Sequence, residues 1–182
     1  MKIKYILLFL VVFSAKAQKM ESNHNVLQTI EDSSLVIAFS KNYTKVQGQK
    51  ENKLLFIDTK SDVSKELDFS SIGTIAKIET NIKTLYKESR FILVEVTSNA
   101  QKILPKASGF IRELYLIKLS TYEITKLSSD NFNLLSWVIN EDTNTLVFLE
   151  KENGQKNANA TVQKIVTIKL ETGKSKEVLK IN

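Results

Sequence analysis

The chain predicts an all-β protein of antiparallel four-stranded repeats, and three observations carry that prediction. Few segments sustain apolar residues at i, i+3, i+4 and i+7, so the signature of an amphipathic helix is weak. Short β-branched and aromatic runs recur instead, separated by polar clusters such as 41–53, 140–144 and 152–161. A pattern of apolar strand, polar turn and second strand ending in leucine occurs three times.

The first unit opens with Val-Leu-Gln-Thr-Ile at 26–30, which leads through Glu31-Asp32-Ser33-Ser34 into a strand at Leu35–Phe39. Its second hairpin is Leu54-Leu55-Phe56-Ile57, a turn at Asp58-Thr59-Lys60-Ser61, and a strand running to Leu67. The second unit begins with a strand at 75–82 and, after a longer link, a strand at 91–96. A strand at 114–119 then turns through Ser120-Thr121 and runs on to Leu127. In the third unit, strands at 134–139 and 146–149 flank a polar turn at 140–144. The strand at 165–170 turns through Glu171-Thr172-Gly173, where glycine takes positive φ without steric cost, and continues to Leu179. Aligning Ile57, Ile117 and Ile168 gives spacings of 60 and 51 residues. The units therefore run over about 24–70, 72–128 and 132–182. Phe91-Ile92-Leu93-Val94 and Leu146-Val147-Phe148-Leu149 lack polar alternation, so each predicts a strand covered on both faces.

At the N-terminus, Lys2 and Lys4 precede an apolar run from Tyr5 to Phe13 and a small-x-small site, Ala15-Lys16-Ala17. These are the three parts of a secretory signal peptide, and the run is too short to span a bilayer. The expected signal is 1–17, leaving a single domain at 18–182 that is periplasmic or extracellular, with no lipobox cysteine and no stable membrane insertion. Export also corrects the charge. The whole chain carries 26 basic and 20 acidic residues, a net +6, but 1–17 hold three lysines and no acid, which leaves +3. The remaining basic residues are lysines spread along the chain plus Arg90 and Arg112, not the clustered patch of a nucleic-acid surface.

Catalytic chemistry finds little material. The absence of cysteine excludes a disulfide, a thiolate metal site and a lipid-modified cysteine. His24 is the only imidazole, and no Gly-x-Ser-x-Gly elbow accompanies it. The glycines at 48, 73, 109, 154 and 173 are isolated, so no phosphate-cradling loop exists. Carboxylates pair at Glu31-Asp32, Glu66/Asp68 and Glu141-Asp142, mostly at expected turns, where such residues hydrogen-bond the backbone. No residue is nominated as catalytic, cofactor-binding or metal-ligating. Trp137, Tyr115, Phe91 and Phe148 fall in strands as packing residues, whereas Tyr43, Tyr86, Tyr122 and Phe132 lie near loops and form the candidate contact surface.

Several motifs resemble one repeat family. Ile30-Glu31-Asp32-Ser33-Ser34-Leu35-Val36-Ile37-Ala38-Phe39-Ser40 is similar to the turn and second strand of the TolB-like and dipeptidyl-peptidase-type β-propeller blade. Trp137 to Asp142 with Thr145-Leu146-Val147-Phe148 resembles the same element. Glu113 to Thr121, and Ile168-Lys169-Leu170-Glu171-Thr172-Gly173, resemble its third strand and turn. The family's Pro-Asp-Gly turn is absent from every unit, and the only proline is Pro105. The resemblance implies a partial, three-blade propeller-like fold; a β-sandwich is the alternative. Closed propellers use four to eight blades, so three leave two blade faces uncovered, to be met by a homodimer or a protein partner. The expected function is an exported, non-catalytic binding or assembly module acting through protein–protein contact. The alternatives are a carboxylate-based secreted hydrolase acting on glycans and a non-catalytic fragment of a propeller-bearing peptidase.

Overall fold

The computed structural model describes residues 26–39, 52–99, 110–153 and 162–181. The expected signal at 1–17, His24 and the candidate contact residue Tyr43 lie outside them. The described chain is all-β: twelve strands and no helix. No helix among the described residues is long and apolar enough to cross a membrane.

The strands form three four-stranded antiparallel sheets, each a meander in chain order. The first sheet holds β1 (Val26–Thr29), β2 (Leu35–Phe39), β3 (Lys53–Asp58) and β4 (Val63–Asp68). The middle sheet holds β5 (Thr74–Glu79), β6 (Phe91–Asn99), β7 (Phe110–Lys118) and β8 (Ile124–Lys126). The last sheet holds β9 (Phe132–Asn140), β10 (Thr145–Glu152), β11 (Gln163–Lys169) and β12 (Lys174–Ile181). The described strands do not close into a barrel, an arrangement compatible with a partial propeller or a sandwich.

The pairing registers establish which residues are equivalent between sheets. Val36 pairs with Ile57, Ile92 with Ile117, and Leu146 with Ile168. The isoleucines aligned by sequence spacing therefore occupy one structural position. Side chains alternate across a strand, so this register also assigns every neighbour to a face.

Packing follows from that alternation. One buried cluster joins Ile37, Leu54 and Phe56 of the first sheet to Ile92, Val94, Val96, Tyr115 and Ile117 of the middle sheet. A second joins Phe91, Leu93, Leu114 and Leu116, on the other face of the middle sheet, to Leu146, Phe148, Val166 and Ile168. Adjacent residues of β6 and β7 thus serve opposite cores, which is why 91–94 is apolar at every position. The same expectation for 146–149 is met on one face only. Leu146 and Phe148 are buried, whereas Val147 and Leu149 point to the outer face and are half-buried.

Among the described residues, the longest departure from regular pairing follows β5, which ends at Glu79 rather than at 82. The next residues fold back as a brace. Tyr86 and Ser89 exchange two backbone hydrogen bonds around Lys87 and Glu88, both at positive φ (46° and 65°). This places Ile82 and Tyr86 in the core between the middle and last sheets. The Lys87 amide donates to the Leu170 carbonyl at 2.9 Å, while Arg90 donates to the Glu31 carbonyl at 3.0 Å. One segment thereby ties the middle sheet to both neighbours at the same end of the stack.

Candidate interaction surfaces

Three buried carboxylates are inserted into the apolar layers, and each is matched by a cation. Glu95 on β6 accepts from Arg112 at 2.5 Å and from the Trp137 indole at 2.7 Å, joining the middle and last sheets. Arg112 also donates to the Leu135 carbonyl, and the Lys77 ammonium sits 4.7 Å from the Trp137 ring centre. Glu113 on β7, on the face toward the first sheet, takes the Lys126 ammonium at 2.6 Å and hydroxyls from Ser98 and Tyr115. Glu150 on β10 is wholly buried, accepts from the Ser129 amide at 2.7 Å, and lies 3.6 Å from Lys164.

These environments shift the ionisable groups of the Glu113 cluster. Burial, reinforced by the Glu113 charge, pushes the Tyr115 phenol up to about 12. Burial alone would lower Lys126, but its bonds to Asp130 and Glu113 outweigh that and bring it up to about 12. The Lys126 bond holds Asp130 below its ordinary value. A carboxylate that is paired and hydrogen-bonded in this way is a structural anion; general acid or nucleophile work needs a free, tuned oxygen.

The carboxylate pairs read from the sequence sit elsewhere. Asp32 takes positive φ (52°) in the first turn, 3.3 Å from Arg90. Glu66 is bound to Lys53 at 2.7 Å, and Asp68 accepts from the Ser70 amide. Glu141 lines an open cleft of about 630 Å³ with Lys83, Thr84, Leu85, Glu88, Asn144 and Glu171. Among the described residues no cluster of three or more histidines and carboxylates is arranged to hold a metal ion.

The three described aromatics of the candidate contact surface do not come together. Tyr86 is 6% exposed, edge-on to Phe91, because the brace turns its ring into the core; the expectation of an exposed contact there is corrected. Tyr122 is half-buried in the turn between β7 and β8, its ring 5.1 Å from that of Phe56. Phe132 opens β9 at the opposite end of the stack, with the Lys164 ammonium 3.9 Å above its ring. Each ring is engaged within the chain.

Open surface lies instead on the outer faces of the first and last sheets. On the last sheet, Val138, Val147, Leu149, Ile165 and Leu179 share the face turned away from the core, and Val138 and Leu179 are exposed. Lys169, Lys174 and Lys176 border this apolar strip on the same face. On the first sheet, Leu27, Val36, Ala38, Leu55 and Ile57 share the outer face, bordered by Lys53, Glu66 and Asp68; Leu27 is exposed, Val36, Leu55 and Ile57 are half-buried and Ala38 is buried among its neighbours. Compared with family models and with curated proteins, the chain matches none.

Proposed function

We propose that this chain is an exported, non-catalytic assembly module that works by protein–protein contact, and that its partner is a second copy of itself. The observation that carries the reading is the contrast between sheets. The central strands β6 and β7 of the middle sheet are buried on both faces, while each outer sheet presents an apolar strip that lies outside both buried clusters of the described residues. A strip of this kind on an exported domain is a cost in solubility unless a partner covers it. Two copies of three sheets give six, within the four to eight layers that stacked four-stranded sheets use to close a ring, in keeping with the TolB-like resemblance. The paired and hydrogen-bonded state of Glu95 and Glu113 favours this reading over a carboxylate hydrolase.

Sedimentation or light scattering on residues 18–182 tests it. A twofold mass across micromolar concentrations is the expected result. A monomer throughout, or masses that keep growing beyond two copies, would overturn the closed dimer.

A further inference from the structure

Resting on that reading, we infer which faces meet: the outer face of β9–β12 of one copy seats on the outer face of β1–β4 of the other, strand over strand. The two interfaces inside the chain already use one rule. Ile37 and Phe56 of the first sheet are cross-strand partners that face the middle sheet, and Leu93 and Leu116 are the equivalent pair facing the last sheet. Val147 and Thr167 are the third such pair, and they face outward. The opposing surface is equally periodic. Ile92–Ile117 meets the first sheet and Leu146–Ile168 meets the middle sheet, while the equivalent Val36–Ile57 of the first sheet faces away from the middle sheet and lies outside both clusters.

A stack built this way has two unlike ends, and every contact in it joins one type of face to the other. Continuing the rule places Val147, Leu149 and Ile165 against Val36, Ala38, Leu55 and Ile57 of the second copy. It also lays β12 beside the partner's β4. Lys174 and Lys176 on β12 have no ion-pair partner among the described residues, and the facing β4 edge carries two acids, Asp68 and Glu66, against the one cation Lys53 that Glu66 binds. Pairing two last sheets would instead oppose lysine to lysine. Four strands about 4.8 Å apart, with about five residues in contact, give each face a footprint of roughly 300 Å²; two faces per chain approach the roughly 800 Å² per partner of a stable interface.

Charge reversal at the two edges tests the assignment, read as the dimer dissociation constant. Lys174→Glu with Lys176→Glu, or Glu66→Lys with Asp68→Lys, should each weaken the dimer by at least about tenfold, because like charges then face one another. Mixing the two variants one to one should restore association, since the reversed edges again match. A reversal that leaves the dissociation constant unchanged shows that its edge does not face the opposite edge of the second copy, and such a result from either variant overturns the assignment. A native chain that never dimerises overturns the assembly reading itself. Because the chain has no cysteine, copies carrying Lys176→Cys and copies carrying Glu66→Cys give a second readout. Thiol cross-linking between unlike copies supports the assignment, and cross-linking only between like copies refutes it.

Discussion

Leu116 and Ile117 are neighbours on β7, both with no exposed surface, and they point into different cores. Replacing either with alanine tests whether the middle sheet is truly covered on both sides. Each change removes three carbons, a transfer loss of roughly 2.4 kcal/mol at about 0.8 per methylene. The unfilled cavity adds to this, bringing each variant to about 3–5 kcal/mol. Val138→Ala on the last sheet supplies the contrast. Its side chain is 58% exposed in the single chain, so losing two carbons costs only about 0.7 kcal/mol. The assay is urea unfolding below the dimer dissociation constant, with the change read from the midpoint at constant m. If Leu116→Ala or Ile117→Ala costs less than about 1 kcal/mol, that side of β7 is not a packed core, and the three-layer reasoning fails.

Gly173 has φ near 68°, and an added Cβ would lie 2.7 Å from the Tyr86 hydroxyl. Gly173→Ala should therefore lower the melting temperature, by left-handed strain of about 1–2 kcal/mol plus the clash, and Tyr86→Phe in the same chain should recover part of the loss. Lys126→Met strips the ammonium from buried Glu113 and should cost about 2–4 kcal/mol, with Glu113→Gln as a second change giving back part of it in a double-mutant cycle. Alkaline pH should act on the same cluster. Tyr115 and Lys126 both have raised values of about 12, so above pH 10 the folded chain keeps protons that the unfolded chain releases. Stability is therefore full below pH 10 and falls as pH rises toward 12. The fall in urea midpoint should be shallower in Tyr115→Phe/Lys126→Met, and an unchanged slope would contradict the assignment.

The strand pattern and the repeat were legible because both rest on local alternation and fixed spacing. Ile57, Ile117 and Ile168 took equivalent places because each pairs with the same position of the preceding strand. What lies over a face is a different question, since an apolar alternation says that a side is apolar and not what covers it. Phe91-Ile92-Leu93-Val94 and Leu146-Val147-Phe148-Leu149 read alike, yet only the first has a sheet on both sides. Tyr86 was misread for a related reason: Tyr-Lys-Glu-Ser has the composition of an exposed turn, and only contacts with the distant Leu170 and Phe91 draw the ring inward. Glu95 offered a signal, being an acid inside an apolar run. Its cation Arg112 is a diagonal neighbour on β7, visible only once the register is known.

Two outward positions of the terminal sheets carry smaller or more polar residues than their buried counterparts. Thr167 stands where the internal interfaces place Phe56 and Leu116, and Ala38 stands where they place Val94 and Phe148. In the proposed assembly, a chain that folds before meeting its second copy gains solubility from this trimming, at the expense of interface energy. The dimer contact should therefore be weaker than the internal ones and improvable. Thr167→Leu, which gives up only a long 3.4 Å hydroxyl bond to the Lys176 carbonyl, adds apolar contact worth about 1 kcal/mol at each of two equivalent sites. Dimerisation should tighten by about thirtyfold, with little change in the unfolding of the single chain. If the variant leaves the dissociation constant unchanged, or yields only disordered aggregates, then Thr167 does not face the partner and the continuation of the stack through this face is wrong.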